Sequence, residues 1–209
     1  LISHNSDYNI KEKDLKYIDN KIIHWFAQNV TVNHPKLTPL PIGLETLHIY
    51  VDGIVKNLDY LRQHSPKEKK SRILFGFNKD TNLVEREPAE EILKKSPLAD
   101  NIKGRINPDS YAKLLNQYKF VASPPGNGLD CHRTWEAMYL GVIPMVKMSM
   151  TTESFKKLGL PLLVVNNWTE VKNMSKEDLD DTYKNLLFNS DKNPLFMKYW
   201  EELIKKSKS

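Results

Sequence analysis

FVASPPGNGLDCHRTWEAMYLGVIPMV, residues 120–146, passes from a short apolar run through a proline- and glycine-bearing connection into a mixed segment, and out into a second apolar run. With Lys119 ahead of it, KFVAS reads as a buried strand and PPGNGLD as a loop. CHRTWEAMYL then reads as a helix stopped by Gly141, and VIPMV as the next strand. Strand, crossover helix and strand in direct succession predict a parallel, right-handed βαβ unit.

The alternation continues on both sides. Upstream, RILFGF (72–77) is a strand, REPAEEILKK (86–95) a helix, and NPDSYAKLLNQY (107–118) a helix with Asn107 at the N-cap and Pro108 in the first position. Downstream, TTESFKKLG (151–159) is a helix and LPLLVV (160–165) a strand, so the expected order is β-α-α-β-α-β-α-β. The class is α/β, a Rossmann-like parallel sheet with helices on both faces. SKEDLDDTYKNLLFN (175–189) and NPLFMKYWEELIKK (193–206) read as terminal helices capped by Ser175 and Asn193 that pack back over the domains.

Towards the N-terminus, QHSPKEKKS (63–71) is a polar, cationic link and the expected domain boundary. Before it come the strand-like LIS, the apolar run IIHWFA and the Pro-rich PKLTPLPIGL. A segment follows in which Leu44, Leu47, Val51, Ile54, Leu58 and Leu61 share one helical face. The expected division is a short N-terminal domain at 1–65, a Rossmann-like domain at 66–172 and terminal helices at 173–209. Because Leu1-Ile2-Ser3 reads as a strand already under way, a missing upstream segment is expected.

Composition narrows the function classes. The 209 residues are 40% hydrophobic and 27% charged, a packed globular balance that excludes disordered, collagenous and coiled-coil chains. Thirty-one basic against twenty-six acidic residues give +5, a modest attraction for anionic partners. The single cysteine, Cys131, precludes an internal disulfide. No stretch approaches the roughly 18 to 20 apolar residues that span a bilayer, and the start carries no signal pattern. The sequons at Asn29, Asn167 and Asn173 read as chance triplets in an Asn-rich chain.

In an open parallel sheet, ligands bind where strands end and helices begin, which marks residues 124–136 as a candidate site. Gly126 and Gly128 permit close backbone approach, and the following helix offers free N–H groups and a positive dipole end. Arg133 and Glu136 share a helical face with Leu140. A guanidinium forks onto phosphate oxygens, and a carboxylate accepts paired hydrogen bonds from ribose hydroxyls. The same residues also describe a plain tight connection and a solvated i,i+3 ion pair. Cys131 and His132, adjacent on a helix, point about 100° apart and cannot form a nucleophile-base pair, so a cysteine hydrolase is not expected.

The run SPPGNGLDCHRTWEAMYLGVIPMV resembles the donor-binding segment of exostosin-like glycosyltransferases: a Pro-Gly loop, then R-x-x-E-A, then G-x-I-P-V. Phe75-Gly76 at a strand end with Arg86 downstream resembles the same family, and the likeness covers about Ser71 to Val165. It implies the two-Rossmann architecture called GT-B, with a nucleotide-sugar donor in the C-terminal half and the acceptor in the N-terminal half. Carried over, Arg133 and Arg86 face the diphosphate and Glu136 the ribose. Pro125, Gly126, Asn127, Gly128 and Asp130 face the phosphates or sugar, and His132 the diphosphate or sugar. A leaving diphosphate needs a fixed cation, particularly without a metal. No DxD-type motif is evident, Asp180-Asp181 reading as a solvated helix face, so no obligatory metal and no cofactor beyond the donor are expected.

The position eight before Glu136 is Gly128, so the paired glutamates of many retaining GT-B enzymes are absent and inversion is favoured. Inversion needs a general base for the acceptor hydroxyl, which the resemblance to GT-B enzymes implies in the N-terminal half. His4, Asp7 and His34 are the polar candidates, and Asp7 and His4 are favoured because they follow a strand. Gln28, Asn29 and Gly43 are expected on the acceptor side, beside Trp25. The resulting expectation is a metal-independent transferase of a sugar to a hydroxyl of a glycan or other acceptor. A nucleic-acid acceptor is also open, and the other class is a non-catalytic nucleotide- or nucleic-acid-binding module. The expected location is cytoplasmic, with membrane association or, after removal of an anchor, the Golgi lumen as alternatives.

Overall fold

Alternate residues of the central apolar runs face opposite ways, so each run buries both of its faces. In the computed structural model, which describes residues 1–45 and 53–207, Ile73 and Phe75 of β4 (Lys70–Phe75) and Phe120 and Ala122 of β6 (Tyr118–Ala122) join one core cluster. Leu74 and Val121 join the cluster on the other face. The remaining strands of this sheet are β5 (Ala99–Asn101), β7 (Ile143–Lys147) and β8 (Leu163–Val165), in the order β5-β4-β6-β7-β8, and every pairing is parallel.

Helices cover both faces. Ala89 and Leu93 of α2 (Leu83–Lys95) and Leu179 of α6 (Lys176–Phe188) lie in the first cluster. Ala112 and Leu115 of α3 (Pro108–Leu115) and Ala137 of α4 (His132–Tyr139) lie in the second. Leu58 and Leu61 of α1 (Gly53–Gln63) also pack there, so this helix lies against the five-stranded sheet's own helices. Leu47 and Val51, expected on the same helix, and the side chain of Ile54 lie outside the described residues. A smaller parallel sheet, β1 (Ile2–Ser3), β2 (Trp25–Ala27) and β3 (Leu37–Pro39), stands beside the larger one. Leu40 and Ile42 beyond β3 pack against Trp135, Val146 and Phe155, the last on α5 (Met150–Lys157), joining the two sheets through one apolar cluster.

The caps follow the sequence closely. Asn107 accepts from Ser110 N, Ser175 accepts from Asp178 N, and Gly141, with φ +67, closes a Schellman turn in which Gly141 N donates to Met138 O and Val142 N to Ala137 O.

Three expectations are corrected. The strand β5 was not anticipated: it is three residues long, polar and at the sheet edge, where Asp100 pairs with Arg72 instead of packing inward. Asn193 does not cap the last helix; residues Asn193–Leu195 form a 3-10 turn, and α7 (Met197–Lys206) begins after Phe196. Asp180 is not a solvated face, because it binds Lys119 at 2.6 Å and the Ser71 hydroxyl, tying α6 to β4 and β6.

Candidate active site at the switch point of the sheet

Along the five-stranded sheet the chain order reverses between β4 and β6, since β5 lies outside β4 while β7 and β8 continue beyond β6. The C-terminal ends of those two strands diverge there, leaving a crevice that loops can line. A cavity of about 1110 Å³ occupies it, walled by Phe75, Gly76 and Phe77 at the end of β4, by residues 101–106 after β5, and by Tyr111, Arg133 and Glu136 from α3 and α4.

Arg133 Nη2 donates to Gly76 O at 3.3 Å, which leaves most of its five donors uncommitted. Arg86 is buried and held harder: Nε donates to Pro125 O at 2.9 Å and Nη1 to Asn78 O at 2.8 Å. The two guanidiniums lie 5.7 Å (Arg86) and 5.9 Å (Arg133) from the centre of the Phe77 ring. Neither pairs with a carboxylate among the described residues. Burial, and then the nearby Arg133, push Arg86 below its ordinary value. Two unneutralised cations beside one aromatic ring make a local positive field suited to a dianion.

Glu136, one turn beyond Arg133 in α4, lines the same cavity and makes no hydrogen bond to any described residue. Burial pushes its carboxyl up, opposed by His132 and Arg133. The Tyr111 hydroxyl is enclosed nearby without a hydrogen bond of good geometry among the described residues, and burial pushes it up to about 12. The expected i,i+3 pair thus arrives as two groups facing one cavity, and not as a surface ion pair.

The loop before α4 is used chiefly for internal fixation. Gly126 N donates to Gly128 O at 3.0 Å in a tight turn. A Cβ on Gly126 would lie 2.8 Å from Arg86 Nη2, and one on Gly128 would lie 2.7 Å from Asn29 Nδ2. The two glycines therefore make room for protein side chains. The Asp130 carboxylate accepts from Ile42 N at 2.7 Å, from Trp135 Nε1 at 2.9 Å and from Cys131 N at 3.0 Å, so its acceptors are spent within the protein. Burial raises this carboxyl to about 6 against those donors. The Cys131 thiol, also raised by burial, contacts Pro124 O.

A smaller chamber of about 380 Å³ adjoins this loop where the two sheets meet. Asp7, Gln28, Arg86, Asn127 and His132 are among its lining residues, which unites acceptor-side and donor-side candidates in one cleft. The Gln28 Oε1 accepts from Asn5 N, while its buried Nε2 has no partner among the described residues. Asn29 is fully buried, in a left-handed conformation (φ 54); it donates to Ser6 O and accepts from Asp130 N, so it joins the sheets and does not line the chamber. Gly43 has φ +75, a conformation that favours glycine, and its carbonyl accepts from His132 Nδ1 at 2.8 Å. His132 Nε2 lies 3.2 Å from Glu45 on the rim of the larger cavity. His4 is turned to Pro41 O at 2.8 Å and lines neither chamber, whereas Asp7 makes no hydrogen bond through its carboxylate to any described residue.

Sequence reasoning missed Phe77, Tyr111, Lys103 and Arg105. Only the alternation of α3 gave a signal for Tyr111; Lys103 and Arg105 follow the unexpected strand β5. Among the described residues, no group of three or more His, Cys, Asp and Glu side chains is arranged to hold a metal ion, and no helix is long and apolar enough to cross a membrane. No family model matches the chain, and no curated protein matches it significantly.

Proposed function

We propose that the protein is a glycosyltransferase of GT-B type, which moves a sugar from a nucleotide-diphosphate donor to a hydroxyl acceptor, metal-independent and with inversion. The observation that carries this reading is the shared cavity of Arg133 and Glu136, the latter without a hydrogen bond among the described residues, at the sheet's switch point. Arg133, with Arg86 beside the same Phe77 ring, supplies fixed positive charge for a diphosphate, and Glu136 accepts from a ribose diol. The resemblance of residues 120–146 to exostosin-like enzymes supports the same assignment.

In the reaction, an acceptor hydroxyl oxygen attacks the anomeric carbon and the bond from that carbon to the diphosphate oxygen breaks. The acceptor proton passes to a carboxylate, and the nucleoside diphosphate leaves with its added charge against the arginines. Asp7 is the base we favour over His4, because it lines the chamber shared by both sheets while the His4 Nε2 is committed to Pro41 O.

The test is release of nucleoside diphosphate from a panel of UDP- and GDP-sugars, with small hydroxyl acceptors and a chelator present. Turnover that Asp7→Asn removes while donor binding persists is the expected outcome. Binding without turnover across the panel would favour a non-catalytic nucleotide-binding module instead.

A further inference from the structure

Opposite the candidate site, at the other end of the sheet, lies a second cavity of about 890 Å³. It takes the starts of β4 and β6 (Lys70, Ser71, Lys119) and the last turn of α4 (Tyr139, Leu140, Gly141), whereas the candidate site takes the far ends of both strands and the first turns of that helix. A ligand in one cavity therefore cannot be shared with the other.

Its charge is concentrated. Eight basic side chains line it against two acidic ones, Glu68 and Asp180, an excess of six, while the whole chain carries only +5. This lining therefore matches the whole net excess of the chain, the remaining residues summing to −1. Lys69 donates to Asn116 O and Oδ1, and Lys119 to Ser71 and Asp180, so each is fixed with one ammonium donor to spare. Burial lowers Lys69 to about 8, which leaves it protonated at neutral pH. Lys67, Lys176 and Lys192 carry no described ion pair.

Beside these cations stand apolar side chains with nothing over them. Phe188, one helical turn from Lys184 and on the same face of α6, is 89% exposed, and Met197, next to the lining residue Phe196, is 72% exposed. Seven of the eight cations are lysines. Lysine is a point charge on a flexible stem, suited to a diffuse anionic surface, whereas recognition of discrete phosphates in nucleic acid favours the guanidinium fork and flat aromatic platforms.

We infer that this pole is a docking surface for an anionic phospholipid bilayer, with the lysines against the headgroups and Phe188 and Met197 inserted at the acyl boundary. The protein so seated holds its switch-point cleft on the side away from the membrane. The inference does not depend on which reaction the cleft performs.

Co-sedimentation with vesicles of phosphatidylcholine alone, or with phosphatidylserine added, tests it. The protein should pellet only with the anionic vesicles and be released by high salt. Replacing Lys176, Lys184 and Lys192 together by Gln should weaken partition roughly a hundred-fold, and Phe188→Ser should weaken it with the lysines intact. All four native tryptophans are buried, so Phe188→Trp places one exposed reporter at the surface, and its emission should shift to the blue on anionic vesicles. Equal binding to both vesicle types, no binding, or binding unchanged by these variants would overturn the inference. So would a single-stranded oligonucleotide that binds more tightly than the vesicles and is insensitive to Phe188→Ser, which would assign the pole to nucleic acid.

Discussion

Glu136 shows what a single side chain contributes. A mostly buried carboxylate with no hydrogen bond among the described residues destabilises the fold when ionised, and burial accordingly pushes it up. A carboxyl raised in the folded state adds stability at low pH that is lost as pH rises through its folded value. Glu136→Gln should therefore raise the melting temperature at pH 8, the gain vanishing towards pH 4, and should at the same time weaken nucleotide binding. Melting curves at the two pH values check the first half. A uniform destabilisation by Gln would mean that the carboxylate has an internal partner. The Arg133 and Glu136 pair was legible from its three-residue spacing, and Gly126 and Gly128 from composition. The reason for those glycines was not, because the close approach of Arg86 and Asn29 comes from distant parts of the chain.

Among the elements, the strands with apolar runs and the helices with strong caps were readable in the sequence, since burial on both faces and capping are local demands. The strand β5 was not. Three residues with Asp and Asn at their centre and end carry no strand signal, and only pairing with β4 defines them. The cavity wall that follows β5, with Lys103 and Arg105, was missed for the same reason. The loop before α4 is held by the buried Asn29, which engages Ser6 O and Asp130 N. A methyl on Gly128 would press on that side chain, so Gly128→Ala should cost about 1–3 kcal/mol in urea denaturation. Gly126→Ala meets the far end of Arg86, and should cost less stability while displacing that guanidinium from the site.

For the whole molecule, the joint between the two sheets combines the apolar cluster around Leu40 and Ile42 with long-range hydrogen bonds, among them the Asp130 carboxylate on Ile42 N, Asn29 on the Asp130 backbone, and the Thr151 hydroxyl on Val30 O at 2.8 Å. No sequence pattern announces such a joint, because each bond spans about a hundred residues of chain. With its carboxyl raised to about 6, Asp130 adds stability that is present at low pH and lost as pH rises through about 6. Asp130→Asn lacks this dependence, so the stability of the wild type relative to the variant should fall by about 2 kcal/mol between pH 4 and 7. An unchanged difference across that range would show that the carboxyl does not titrate there. The joint also brings Asp7 to the same cleft as Arg86, which the transferase reading requires. That reading is tested most directly by calorimetric titration of the protein and of Arg133→Ala with UDP and GDP. One nucleoside diphosphate should bind the wild type, and the variant should bind it about 10- to 100-fold more weakly, as expected for loss of a charge-assisted fork. Binding that Arg133→Ala leaves unchanged, or no binding by the wild type, would contradict a diphosphate site at the switch point.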